Sequence, residues 1–161
     1  MPKLTRTDRK ILDVLQADAH VSNVELAERV GLSPSPCLRR VKLLEAQGLI
    51  GGYVALLDRR KLGLDVVAFV EVQMDRHNEA SVAAFRASIA GQPEIVACHM
   101  LTGAFDYLLK VVVPNLDAYA EFTLNRLLKM PGVKDVRSSF VLETLKDSTA
   151  LPLMQLEEGR G

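Results

Sequence analysis

The sequence predicts an α+β protein built from two parts, a helix-turn-helix followed by a ferredoxin-like βαββαβ module. Three observations predict this fold. Three amphipathic helical patterns open the chain, alternating strand and helix patterns follow them, and the net charge changes sign between the two parts. Residues 1–62 hold 11 Lys and Arg against 7 Asp and Glu, a net charge of +4, whereas residues 63–161 hold 9 against 13, a net charge of −4. We therefore predict a first domain at 1–62 and a second at 63–161.

The first two helical patterns carry apolar residues every three to four positions. The first is predicted from Thr7 to about Asp18. The second begins at Ser22, whose spacing to Glu25 fits a capping box in which each side chain bonds the backbone amide of the other residue. Gly31 ends this helix because glycine tolerates the left-handed backbone of a helix C-terminus.

The third helix follows almost at once, with Ser33 as N-cap and Pro34 in the first turn. Two helices joined by a tight glycine turn form the helix-turn-helix pattern, whose second helix lies in the major groove of DNA. The candidate DNA-contacting residues are Ser33, Ser35, Pro36, Arg39, Arg40 and Lys42.

Hydroxyls and cations are the groups that bind phosphates and base edges. Ser35 and Arg39 are expected at base edges, and Ser33, Arg40 and Lys42 at phosphates. A generic three-helix bundle with a solvated outer face is the alternative for the same pattern. The charges of Asp8 and Glu45 fit structural roles in the first and last turns of their helices.

After Gly48 the pattern changes from helical to extended. A strand is predicted over Leu49–Leu57, then a charged connector over 58–63. The βαββαβ elements are strands at Val66–Met74, Ile95–Leu101, Tyr107–Val113 and Val133 to about Leu145, with helices before Gln92 and between Asn115 and Pro131. Such a sheet carries both helices on one face, so its bare face predicts pairing with a second copy of the chain.

Composition limits the class of protein. The chain is 48% hydrophobic and 25% charged, which is typical of globular domains. It has no apolar run of the roughly 20 residues that a membrane span needs and no secretory signal at its start, so a cytoplasmic location is expected. Cys37 and Cys98 are expected to be reduced. Cys98 and His99 fit neighbouring strand residues better than a metal site, and no metal or other cofactor is predicted.

Several segments, taken in order, resemble the Lrp/AsnC (leucine-responsive, feast/famine) transcription regulators over nearly the whole chain. They are Thr7–Leu12, Ser22–Ala27, Val30–Cys37, Leu44–Ile50, Thr102–Leu108 and Leu128–Val133. The resemblance implies a winged helix-turn-helix that binds double-stranded DNA, joined by a hinge to a ferredoxin-like module. It also implies dimers that build into tetramers or octamers, an amino-acid effector bound between subunits, and control of amino-acid metabolism genes.

The resemblance also implies an effector site around the link between the two middle strands. Its candidate residues are Met100, Thr102, Gly103, Ala104, Asp106, Tyr107, Ser138, Ser139 and Phe140. The chain departs from the family pattern at Ala104, where members usually carry an acidic residue after the glycine.

An amino-acid zwitterion needs an acceptor for its ammonium group, donors for its carboxylate and an apolar slot for its side chain. Asp106 fits the acceptor, although by its own chemistry it is equally a turn residue. Backbone amides around Gly103 and Ala104 fit the donors, and Met100 and Phe140 fit the slot. The hydroxyls of Ser138 and Ser139 are expected to come from a neighbouring subunit.

Two other classes of protein remain as alternatives. An enzyme is disfavoured because the sequence shows no paired acid and base, no catalytic triad spacing and no phosphate-binding glycine loop, and because His20, His77 and His99 are scattered. An amino-acid-binding module without DNA function would leave the +4 charge of residues 1–62 and the exposed cations of the third helix without a purpose.

Overall fold

A computed structural model describes residues 4–75 and 79–154 of the chain. These residues form two compact units, one comprising residues 4–56 together with 146–154, and the other residues 57–145. The predicted boundary after residue 62 therefore needs correction in two respects. The chain leaves the first unit at Leu56, and the tail from Lys146 onward packs with the first unit instead of the second.

The first unit contains three helices, α1 (Arg6–Ala17), α2 (Asn23–Val30) and α3 (Pro34–Ala46). Their apolar faces meet in one core, which also receives partly buried residues from the tail. The fully or nearly fully buried members of this core are Leu4, Ile11, Leu12, Leu26, Ala27, Val30, Cys37 and Leu44. The predicted helix-turn-helix is thus confirmed.

The helix caps differ in detail from the prediction. A reciprocal capping box does form, but at Thr5 and Asp8 of α1. At α2 only half of the predicted box is present: the Ser22 hydroxyl accepts the Glu25 amide at 3.2 Å. The Glu25 carboxylate instead pairs with Arg29 at 2.6 Å, because residues four apart are neighbours on a helix surface.

The turn between α2 and α3 follows the predicted pattern. Gly31 has a φ of 75°, a left-handed conformation that favours glycine. Pro34 occupies the first turn of α3, where its missing amide costs no helical hydrogen bond. Ser33 has the extended backbone of an N-cap, although its hydroxyl makes no capping hydrogen bond.

The predicted strand at Leu49–Leu57 is wrong. The segment is irregular in the described chain, and its side chains from Val54 to Leu57 are exposed. A strand needs a neighbour to take up its backbone amides and carbonyls, and this segment is paired with no strand among residues 4–75 and 79–154. Tyr53 instead donates its phenolic hydrogen bond to Glu45 at 2.9 Å. Burial, with the Glu45 carboxylate beside it, raises the pKa of Tyr53 to about 12.

The second unit has the predicted βαββαβ order. Its elements are β1 (Val66–Met74), α4 (Glu79–Ala90), β2 (Ile95–Met100), β3 (Tyr107–Val113), α5 (Leu116–Asn125), a short 3₁₀ turn (Leu127–Lys129) and β4 (Val133–Phe140). The strands form an antiparallel sheet in the order β2-β3-β1-β4. The last strand ends at Phe140, five residues earlier than predicted.

Both helices of this unit lie on one face of the sheet. The Phe85 ring of α4 packs on Tyr107 of β3, with ring centroids 4.7 Å apart. On the β4 side, Tyr119 of α5 meets the edge of Phe140 at 4.9 Å. Phe122 of α5 is fully buried between these contacts and the sheet.

The opposite face of the sheet is covered by neither helix. Phe69 lies there between Lys110 and Ser139, its register partners on β3 and β4. Phe69 is 39% exposed, which is unusual for a central-strand phenylalanine and leaves this face suited to a protein partner.

Candidate DNA interface and ligand cleft

One face of α3 is buried and the opposite face is polar. Cys37 and Leu44 point into the core of the first unit with at most 1% exposure. Ser35, Arg39 and Lys42 lie on successive turns of the opposite face and are all exposed. The 3.6-residue period of the helix therefore aligns a hydroxyl and two cations as one outward stripe, which we call the α3 stripe.

Arg40 does not belong to the α3 stripe. Its guanidinium donates to the Asp8 carboxylate at 2.7 Å and to the Thr5 hydroxyl at 3.2 Å, both at the start of α1. Its contact with a DNA phosphate stays a prediction, and the structure adds a second role for the group in this internal ion pair. Burial alone would raise the pKa of the Asp8 carboxyl, but hydrogen bonds from Thr5 and the Arg40 guanidinium hold that pKa below its usual range.

Two contacts fix the position of α3, and sequence reasoning found neither. The first is the Arg40–Asp8 pair. The second is a hydrogen bond from the Asn23 side-chain amide to the carbonyl of Pro34 at 2.9 Å, which ties the start of α2 to the start of α3. Of the other predicted DNA-contacting residues, Ser33 is exposed and Pro36 is half-buried at this same end of α3.

The link between β2 and β3 holds the centre of the predicted effector site. Thr102, Gly103 and Ala104 are exposed there. The Asp106 carboxylate accepts the backbone amide of Met74 at 2.7 Å, and its own amide donates to the Val72 carbonyl at 2.9 Å. Asp106 therefore anchors the link to β1. This is the structural role in a turn that the sequence allowed as the alternative to a ligand contact.

A cleft lies beside this link, on the helix-bearing side of the sheet. It has a volume of about 300 Å³ and is lined by Phe85, Arg86, Ile89, Cys98, Met100 and Tyr107. Two of the predicted effector residues, Met100 and Tyr107, are among them. Arg86, which the sequence reasoning missed, supplies the one cation in the lining as described. Burial raises the pKa of the Cys98 thiol, against a smaller opposing effect of Arg86.

The other predicted effector residues lie elsewhere in the chain. Met100 is on β2 and Phe140 is on β4, the two edge strands of the sheet. Three strand spacings separate them, roughly 14 Å at about 4.8 Å each. Met100 and Phe140 of one chain therefore cannot line the same slot, and a shared slot stays a prediction that would need residues from two chains.

Ser138 and Ser139 point to opposite faces of the sheet, as neighbouring strand residues do. The Ser138 hydroxyl is hydrogen-bonded to the Tyr119 phenol on the helix-bearing face. Ser139 is exposed on the face that carries Phe69. The two hydroxyls of one chain therefore cannot bind the same small molecule.

Among residues 4–75 and 79–154, no helix is long and apolar enough to cross a membrane. The same residues hold no group of three or more His, Cys, Asp or Glu side chains arranged to bind a metal ion. Both cysteines are free, Cys37 in the core and Cys98 exposed. His77, one of the scattered histidines, lies outside the described residues.

A helix-turn-helix with an exposed cationic stripe, followed by a ferredoxin-like module, is the domain arrangement of a DNA-binding regulator with a second, regulatory domain. Comparison with known families agrees: residues 4–50 match the model described as winged helix-turn-helix DNA-binding. Residues 67–151 match the model described as Lrp/AsnC ligand binding domain. The chain belongs to the Lrp/AsnC family of DNA-binding transcription regulators.

Individual relatives cover almost the whole chain. It is 47% identical over 148 residues to the leucine-responsive regulatory protein of Salmonella typhimurium, covering 92% of this chain and 90% of the relative. The same protein of Escherichia coli K12 is 46% identical with the same coverage. A transcriptional regulator of Neisseria meningitidis, solved in complex with L-methionine, is 45% identical with a TM-score of 0.93, covering 96% of this chain and 99% of that one.

These matches decide between the classes considered from the sequence. The match of residues 4–50 to a DNA-binding family confirms a regulator and disfavours an amino-acid-binding module without DNA function. The relatives just described are transcription regulators, not enzymes.

Proposed function

We propose that this protein is a sequence-specific regulator of amino-acid metabolism genes whose DNA binding responds to an amino acid. The observation that carries the DNA half is the α3 stripe of Ser35, Arg39 and Lys42, which the fold leaves exposed. A regulator of this kind binds chromosomal DNA, which supports the expected cytoplasmic location.

In this proposal α3 lies in the major groove of double-stranded DNA. Ser35 and Arg39, nearer the start of the helix, contact base edges, and Lys42 and Ser33 contact phosphates. Pro36 packs near the sugar-phosphate backbone at the same end. Arg40 acts mainly by fixing the angle of α3 against α1 through its ion pair with Asp8.

The salt dependence of DNA binding tests this assignment. Each phosphate neutralised by a cation lowers the slope of log affinity against log salt by about 0.9. We expect Lys42→Ala to weaken binding to every duplex and to flatten the slope by about one. Arg39→Ala should in addition relax base preference. Fluorescence anisotropy with a labelled duplex across a salt series measures both.

Lys129→Ala is the matched control, because Lys129 is an exposed cation of the second unit. It removes the same charge and should leave the slope unchanged. An Arg39→Ala, Lys42→Ala double variant with the wild-type slope would rule out the α3 stripe as the DNA surface.

For the effector, we propose the cleft between α4 and β2. Its size of about 300 Å³ is at the lower end of small-ligand sites. The Arg86 guanidinium would bind the carboxylate of an amino acid, and Phe85, Ile89 and Met100 would contact an apolar side chain. The 102–104 link connects the two strands that carry Met100 and Tyr107, and we propose that its backbone carbonyls accept from the ammonium group. The complex of the Neisseria meningitidis relative with L-methionine supports an amino acid of this kind.

Ser138, Ser139 and Phe140 of the same chain do not reach this cleft. Any of them that contacts the effector would have to come from another copy of the chain, in keeping with the expectation of an effector bound between subunits. The open sheet face around Phe69 is the surface we propose for pairing two copies, and dimers can then assemble further into tetramers or octamers.

Calorimetric titration of the full-length protein with the 20 amino acids tests the effector proposal. We expect binding of an amino acid with an apolar side chain, and at least a ten-fold loss of affinity in Arg86→Ala. The amide derivative of the best amino acid, which lacks the anionic carboxylate, should bind wild type and Arg86→Ala equally weakly. Lys134→Ala, which removes an exposed cation on β4, is the control. Unchanged affinity in Arg86→Ala would mean that the carboxylate of the amino acid binds to another part of the protein.

A further inference from the structure

Leu38 is an apolar residue of α3 whose side chain lies outside the described core of the first unit. It is 44% exposed. The residues of α3 that contribute to the core of the first unit are Cys37, Val41 and Leu44, and Leu38 is not among the residues packed against that core. Its exposure therefore has no explanation in the packing of the described first unit.

Leu38 borders the α3 stripe. It lies three residues after Ser35 and four before Lys42, so its side chain is a neighbour of both on the helix surface. It also precedes Arg39 directly. A leucine in this position is surrounded by the groups that approach DNA, and it lies in the first half of α3, the part of a recognition helix that contacts base edges.

The major groove offers one apolar group to such a side chain. Each A·T pair presents the C5-methyl group of thymine there, while the other base-edge groups in the groove are hydrogen-bond donors and acceptors. A leucine side chain can neither donate nor accept a hydrogen bond. It gains free energy only by burying apolar surface, and the thymine methyl group offers that surface.

From this position we infer that Leu38 recognises the C5-methyl group of a thymine, and so sets a thymine preference within each DNA half-site. The inference rests on the proposed placement of α3 in the major groove. It adds apolar recognition to the polar contacts of Ser35 and Arg39.

Leu43 provides an internal comparison. It is also exposed, at 52%, and is also absent from the packed core. However, it lies in the second half of α3, where it shares a surface with Arg39, Arg40 and Lys42. Because the first half of a recognition helix is the part that contacts base edges, Leu43 should not read a base.

The test begins with duplexes selected from a random pool by the full-length protein. In the selected sequence each thymine is then replaced, one at a time, by deoxyuridine, which removes the C5-methyl group and keeps every hydrogen-bonding group. Wild type should bind about three- to five-fold more weakly when thymine is replaced at one or two positions of a half-site. This is the loss expected when one buried methyl group is removed. Leu38→Ala should bind the thymine duplex that much more weakly and should no longer distinguish thymine from deoxyuridine there.

Leu38→Met should retain the discrimination because it restores an apolar side chain of similar length, and Leu43→Ala should retain it fully. Alanine is a strong helix former, so an exposed Leu38→Ala should fold and keep the wild-type salt slope. Discrimination that survives in Leu38→Ala, or that is absent from wild type, overturns the inference while leaving the α3 interface intact. An Arg39→Ala, Lys42→Ala variant that binds as wild type does overturns the interface itself, and the inference with it.

Discussion

At the scale of single residues, the most informative group is the cluster of Thr5, Asp8 and Arg40. Asp8 is only 7% exposed, yet it is charged. It receives the Thr5 amide at 2.9 Å and the Arg40 guanidinium at 2.7 Å, so its burial is compensated by hydrogen bonds and an opposite charge. Because Thr5 precedes α1 and Arg40 lies in α3, this carboxylate ties α3, the helix we propose for DNA recognition, to the start of α1.

The stabilising effect of Asp8 should depend on pH in a defined direction. The pKa of Asp8 is lowered in the folded chain from its ordinary value of 3.8, so its charge stabilises the fold above that pH. The stabilisation is lost as the pH falls through the lower, folded-state pKa. We expect Asp8→Asn to reduce the free energy of unfolding by about 2 kcal/mol at pH 7, since hydrogen bonds to charged groups contribute about that much.

Urea unfolding followed by circular dichroism between pH 7 and pH 3 measures this difference. The gap between wild type and Asp8→Asn should shrink below pH 3.8. Asp13→Asn, an exposed change on the same helix, is the control and should show little difference at any pH. A gap of constant size from pH 7 to pH 3 would mean that the charge of Asp8 does not stabilise the fold.

At the scale of elements, the sequence correctly predicts the helices and turns that are determined by residues close together in the chain. Gly31, Pro34 and the apolar periodicity predict α2 and α3 correctly, because caps and helical faces are set by residues within one or two turns. The segment Leu49–Leu57 was predicted wrongly because its extended pattern depends on a partner strand, which no local signal reports. The same limit applies to the site: Arg40 and Asn23 find their partners across the fold, so their contacts were missed.

The C-terminal tail is the element that the sequence placed in the wrong unit. Its Leu151 backbone donates to the Gln16 side chain at 2.6 Å and accepts from it at 3.3 Å. Two residues later Leu153 packs against the core of the first unit. The first unit is therefore completed by residues that follow β4 in the chain.

Two leucines of this tail form a matched pair for testing its contribution. Leu153→Ala should lower the free energy of unfolding of the first unit by about 1–2 kcal/mol, less than the 2–5 kcal/mol typical of a fully buried leucine, because Leu153 is only partly buried. Leu151→Ala should change it by less than about 0.5 kcal/mol, since that side chain is 70% exposed and its backbone bonds to Gln16 persist. Denaturant unfolding measures both, and equal effects would show that the tail does not pack as described.

At the scale of the whole molecule, the residues proposed for the effector site do not all meet within one chain. The cleft with Arg86 and Met100 is at the β2 side of the sheet, and the residues from Ser138 to Phe140 are at the β4 side. Sensing an amino acid with both groups requires a second copy. The exposed sheet face of each chain, on the side away from the cleft, is the surface we propose for pairing two copies.

Replacing Phe69 with arginine tests whether two copies pair through the open sheet face. Phe69 lies in the middle of the open face, beside Lys110, so Phe69→Arg would place two like charges together and bury a charge in any sheet-to-sheet contact. We expect light scattering after gel filtration to show wild type at twice the chain mass or more, and Phe69→Arg at the mass of one chain. Leu124→Arg, a change at an exposed apolar side chain of α5, should keep the wild-type mass. A Phe69→Arg variant that remains dimeric would move the interface between copies away from the sheet face.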